Sequence, residues 1–117
     1  TIKHIYNLSN MIYNSTQSSP NVRSEKKVPT DFKSLRKETL NNLKLTTDAF
    51  ESFNDQDLKN IKIIFLRKSG NYEFPIWNLI NGPISDAIYH TGQLVSFRRT
   101  SGNPIPKGVN VFLGIKK

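Results

Sequence analysis

Residues 84–99 read ISDAIYHTGQLVSFRR, and the reading of this stretch decides the fold. At 3.6 residues per turn, Asp86 and His90 stand one turn apart on one face of a helix. Ile84, Ala87, Ile88, Thr91, Leu94, Val95 and Arg98 make one stripe, and Asp86, His90, Gln93 and Phe97 make the adjoining one. Asn81-Gly82-Pro83 predicts the start, because proline is tolerated in a first helical turn. Gly102 predicts a C-terminal cap, and Pro104 and Pro106 prevent continuation. Val109–Ile115 is a short apolar tail, expected to fold back over the helices.

Upstream, the pattern alternates between helix and strand signals. Ile2, Ile5, Leu8 (or Ser9) and Ile12 give helical spacing over Thr1–Thr16, with His4 beside the stripe and no cap ahead of Ile2. The abrupt start suggests a chain cut upstream. Gln17–Pro29 is rich in Ser, Pro, Asn and Lys and predicts an exposed, mobile connection. Thr30 or Asp31 can cap a second helix whose face is Phe32, Leu35, Leu43, Thr46 or Thr47, Phe50 and Phe53. Asn54–Asp57 reads as a break. Ile61, Ile63 and Phe65 alternate with Lys62, Ile64 and Leu66, and Ser69-Gly70-Asn71 is a turn signal. Together they predict a short β-hairpin; a helical extension ending near Lys68 is the other reading.

Composition bounds the answer. A chain of 117 residues supports one domain, 1–117, with one core. Hydrophobic content is 36%, and no run reaches the roughly 18 to 20 apolar residues of a membrane span. No signal peptide is visible, and a cytoplasmic location is favoured. The absence of cysteine excludes a disulfide framework, a zinc ribbon and a thiol nucleophile of the chain's own. A net charge of +8 raises nucleic acid as a partner. The basic pairs, such as Lys26-Lys27, Arg67-Lys68 and Arg98-Arg99, are scattered and belong to no recognised reading motif, so nucleic acid is not the expected partner. No phosphate loop, Ser/His/Asp set or paired-carboxylate arrangement can be made out.

Asp86 and His90 admit two physical readings. Carboxylate and imidazole are common ligands of zinc, nickel, iron and manganese, and catalytic sites often use three protein ligands. The third would be His4, the only other histidine. Alternatively the pair is a hydrogen-bonded polar contact, with Asp86 favoured in a first helical turn by the helix dipole alone.

The run His90-Thr91-Gly92-Gln93, followed by an apolar pair and Arg98, resembles the last helix of the DinB-like family. Those proteins are four-helix bundles with a metal site of three side chains, usually histidines. One comes from the second helix and two from the fourth, at i and i+4 just before a Gly-Gln pair. His4, within Ile2-Lys3-His4-Ile5, looks like the histidine of the second helix, and His90 like the later ligand of the fourth. Asp86 stands where the family has histidine. That change either gives a two-histidine, one-carboxylate site favouring harder metals or marks a member that has lost its metal.

The resemblance implies an up-down four-helix bundle of DinB-like type lacking its first helix, with a short β-hairpin before the last. It implies a divalent transition metal (Zn, Ni, Mn or Fe) on His4, Asp86 and His90. It also implies a metal-dependent enzyme, a hydrolase or thiol S-transferase, acting on a small-molecule substrate. A metal could lower the pKa of bound water or of a thiol. Gln93 is expected to hydrogen-bond within the bundle, and Tyr89 to point about 100° away from His90. The alternative is a non-catalytic helical bundle that binds a partner or forms a homodimer, its metal site degenerate.

Overall fold

The element around which the rest packs is α1 (Ile2–Thr16). A computed structural model describes residues 1–22 and 28–117. Leu8 and Ile12, four apart, are buried, and so are Ser9, Ser15 and Thr16. These small residues let neighbouring elements approach closely. Their hydroxyls are satisfied within the helix, where Ser9, Ser15 and Thr16 donate to the carbonyls of Tyr6, Met11 and Tyr13, each at 2.7 Å.

The longest helix, α2 (Phe32–Ser52), starts where Asp31 accepts a hydrogen bond from the Ser34 amide at 2.8 Å. That bond holds the Asp31 carboxyl below its usual range. The buried face of α2 is Leu35, Asn42 and Thr46, while Phe32 and Leu43 of the expected stripe are exposed. Asn42 was not part of that stripe. Its amide donates to Ser9 Oγ at 3.1 Å and to Asn10 Oδ1 at 3.0 Å, making a polar seam between α1 and α2. Tyr6 extends the seam by donating to Glu38 at 2.9 Å. Burial pushes the Tyr6 hydroxyl above its ordinary range; Glu38 adds to this and Asn10 opposes it.

The expected break at Asn54–Asp57 is instead a six-residue helix, α3 (Asp55–Asn60). Asn54 caps it by accepting from the Gln56 and Asp57 amides, and the Asp57 carboxylate accepts from the Asn54 amide in return. Such reciprocal capping lets a polar run start a helix that has no apolar stripe.

Strands β2 (Lys62–Arg67) and β3 (Gly70–Pro75) form an antiparallel hairpin, with Ile63 opposite Phe74 and Phe65 opposite Tyr72. The turn falls at Lys68-Ser69, and Gly70 opens β3 with φ +132°. β1 (Asn21–Val22), inside the expected polar connection, adds to β2 in parallel. The expectation of a mobile connection covers Gln17–Pro29, of which Arg23–Lys27 lie outside the described residues. Period-two alternation places Ile61, Ile63 and Phe65 toward one core, where Ile63 meets Ile12, Ile76 and Leu79.

After β3 the chain makes a π-helical turn at Ile80–Ile84 and enters α4 (Ser85–Thr100). Gly82, at φ −113° and ψ −107°, breaks the helical path, and Pro83 is buried in the turn rather than in the first turn of α4. Ser85 closes the kink by donating to the Ile80 carbonyl. Gly102, at φ +76°, lies just past the helix end, where a left-handed residue is most easily supplied by glycine.

The expectation of an up-down four-helix bundle is wrong. Among the described residues there are four α-helices, one of them short, with a three-stranded and a two-stranded sheet, and the class is mixed α/β. The physical reason is the hairpin: β2 drives Ile63 into the core beside Ile12, so a sheet covers one side of α1. The tail does not fold back either. β4 (Val109–Asn110) and β5 (Ile115–Lys116) pair with each other in a separate hairpin, and Phe112 at its tip is 95% exposed.

Candidate metal centre

Three side chains from two helices meet where α4 crosses α1. On α4, the four-residue spacing puts Asp86 and His90 on one face, with His90 Nε2 3.2 Å from Asp86 Oδ1. On α1, His4 stands one turn before the buried Leu8 and is carried to the same point, with Nε2 3.1 Å from Asp86 Oδ2. The two imidazole rings meet edge to face, 4.6 Å between centroids. Among the described residues this is the one group of three His, Asp or Glu side chains whose ligand atoms lie within 4.8 Å of one another.

The donor set suits a divalent ion. Bonds of 2.0–2.1 Å at a tetrahedral angle put neighbouring ligand atoms about 3.3 Å apart. The two contacts to Asp86 are close to that spacing. Each histidine turns its Nε2 to a different oxygen of Asp86, His4 to Oδ2 and His90 to Oδ1. The side chains of His4 and Asp86 are 47% and 44% exposed and that of His90 22%, so the centre is open to solvent rather than enclosed.

His90 carries a further constraint. Its Nδ1 lies 2.7 Å from Gln93 Oε1. The His90 tautomer that pairs with the Gln93 carbonyl oxygen is the one with its proton on Nδ1. This is the tautomer a metal-ligating histidine requires when it binds through Nε2. Gln93 therefore bonds not to a distant part of the fold but to the candidate ligand one turn back. The i to i+3 spacing of His90 and Gln93 was the sequence signal for it. Tyr89 packs its ring against His90, 5.2 Å between centroids, and is exposed.

His4, Asp86 and His90 are each followed by a residue that lines a groove on the adjoining face of the same helices: Ile5, Ala87 and Thr91. The groove lies between α2 and α4 with α1 as its floor and has a volume of about 460 Å³. The ligands and the groove are thus about 100° apart around each helix.

No family model, curated protein or solved structure matches this sequence. Among the described residues, no helix is long and apolar enough to cross a membrane.

Proposed function

We propose that this protein is a metal-dependent enzyme in which His4, Asp86 and His90 hold one divalent transition ion, such as zinc, nickel, manganese or iron. The observation that carries the reading is the convergence of Asp86 with two histidine Nε2 atoms, one of them from 82 residues away in the chain. The resemblance of His90-Thr91-Gly92-Gln93 to the last helix of DinB-like proteins supports the same ligand set. The reaction class is hydrolysis or transfer to a thiol, on a small molecule approaching from solvent.

When bound, the ion would supply Lewis acidity and lower the pKa of a coordinated water or thiol. The chain's own residues do the rest. Asp86 lies between the two histidines and would offset the charge of a bound ion. Gln93 holds the His90 ring so that Nε2 faces the centre. Three protein ligands leave room for a solvent or substrate atom, as a catalytic rather than structural site requires.

The test is elemental analysis of untagged protein, parent against His90→Ala. About one equivalent of transition metal per chain, absent from the variant, supports the reading and directs assays to activated esters and small thiols. A parent that takes up none after incubation with zinc, nickel and manganese would rule it out.

A further inference from the structure

The hairpin of β4 and β5 carries an apolar tip into solvent. Its strands pair with each other, Val109 opposite Lys116 and Asn110 opposite Ile115, and belong to no other sheet. The turn between them is Val111-Phe112-Leu113-Gly114. Val111 is 75% exposed and Phe112 95%, and Leu113 and Ile115 are exposed as well. Three consecutive large apolar side chains thus stand where a polar turn would leave nothing unfavourable in water.

The backbone is built to hold that tip out. Lys117 donates its amide to the Gly108 carbonyl at 3.0 Å, and a Cβ on Gly108 would lie 2.6 Å from the Lys117 carbonyl oxygen, so the base closes on a glycine. Gly114 turns the chain at φ +65°, and the Leu113 amide donates to Asn110 Oδ1 at 3.0 Å. That amide is therefore satisfied from within the turn and needs no water. At the other end, Arg98 fixes the exit from α4 by donating to the Asn103 carbonyl at 2.9 Å and to the Pro104 carbonyl at 3.2 Å.

Charge around the tip has one sign. From Ala87 to Lys117 the chain carries Arg98, Arg99, Lys107, Lys116 and Lys117 and no acidic side chain. Lys116 lies on the hairpin, and Lys107 and Lys117 flank its base. Among the described residues, none of these five cations is in an ion pair.

We infer that this hairpin attaches the protein to an anionic membrane surface. Val111, Phe112 and Leu113 enter the headgroup region, and the lysines at the base meet lipid phosphates. The inference does not rest on the metal reading, and it concerns attachment to a surface, not a span.

The dimensions agree. Strands rise about 3.4 Å per residue, so the tip reaches roughly 7–10 Å beyond the rung of Val109 and Lys116. Apolar side chains of surface-bound segments sit about 5–10 Å into the boundary between headgroups and acyl chains. The chemistry also separates this partner from the other that a basic surface suggests. A nucleic-acid strand would use the lysines and could stack a base on Phe112, but it has no use for Val111, Leu113 and Ile115. A lipid boundary uses the cations and every apolar side chain of the tip.

The experiment is co-sedimentation of the whole chain with phosphatidylcholine vesicles, with and without phosphatidylserine, circular dichroism verifying the fold of each variant. The parent is expected to bind the vesicles that contain phosphatidylserine, less as salt is raised, and to stay in solution with phosphatidylcholine alone. Phe112→Ser, which removes no core side chain, should weaken binding about tenfold or more. Lys116→Ala with Lys117→Ala should weaken it about tenfold or more on the anionic vesicles. The same charge removed from α2, by Lys33→Ala with Lys37→Ala, should cost less. A parent that ignores anionic vesicles, Phe112→Ser binding as the parent does, or equal losses from the two lysine pairs would each overturn the inference. Single-stranded oligonucleotide bound through Phe112 by a chain that ignores vesicles would overturn it too, and would assign the hairpin to nucleic acid.

Discussion

His4 Nε2 lies 3.1 Å from Asp86 Oδ2 although 82 residues separate them, so the packing of α1 on α4 assembles the centre. Metal affinity should respond to all three ligand positions. Replacing His4, Asp86 or His90 by alanine is expected to abolish stoichiometric binding, while helical content by circular dichroism stays near the parent's, since all three are at least partly exposed. Protons compete with metal for imidazole nitrogen, so occupancy in a titration should fall as pH is lowered.

Gln93→Leu removes the acceptor on His90 Nδ1 and keeps the side-chain volume close. Partners of this kind typically change metal affinity 10- to 100-fold. The expected result is a loss in that range by isothermal titration with zinc, at unchanged stoichiometry. An unchanged affinity would mean that the 2.7 Å contact does not set the orientation of the ring.

The core is small, and its members should be individually costly to truncate. Ile63 and Leu79 are both 1% exposed and pack in the same cluster. Leu79→Ala or Ile63→Ala should each cost about 2–5 kcal/mol, read from urea midpoints. Phe112→Ser, at a 95% exposed position, should leave the unfolding midpoint unchanged.

The polar seam makes a separate prediction. Asn42→Leu deletes the donor to both Ser9 Oγ and Asn10 Oδ1. Ser9 Oγ keeps its bond to the Tyr6 carbonyl, so the loss is that of two hydrogen bonds, each worth about 0.5–1.5 kcal/mol. The double variant Asn42→Leu with Ser9→Ala should recover part of the loss, which a double-mutant cycle measures.

Alkaline pH should act on the same seam. The folded Tyr6 hydroxyl titrates above its unfolded value, so the folded state keeps its proton longer. Its contribution is complete below the ordinary tyrosine range, near 10, and is lost as pH rises through the higher folded value. Stability against pH should therefore fall less steeply on the alkaline limb in Tyr6→Phe than in the parent. Asp31 works in the opposite sense: its folded value is lowered, so its contribution is full above the usual aspartate range and is lost in acid. Asp31→Asn should flatten the acid limb.

What the sequence determined on its own is local. The i, i+4 spacing of Asp86 and His90, a cap at Thr30 or Asp31, the alternation at Ile61, Ile63 and Phe65 and the stop at Gly102 all follow from the geometry of a single element. The capping box at Asn54–Asp57 was equally local, but a polar run without an apolar stripe reads as a break unless the reciprocal bonds are considered.

Tertiary structure decided the rest. The bundle implied by the family resemblance gave way to a mixed α/β fold because Ile63 of β2 packs beside Ile12, a contact no single-element pattern encodes. It also decided that Asn42 is buried and Leu43 exposed, although the stripe favoured Leu43. The placement of His4 depends on where α1 crosses α4, and the outward tail depends on Arg98 gripping Asn103 and Pro104 after the helix ends. Spacing along one helix can place two ligands; a third from another helix requires the packing of both.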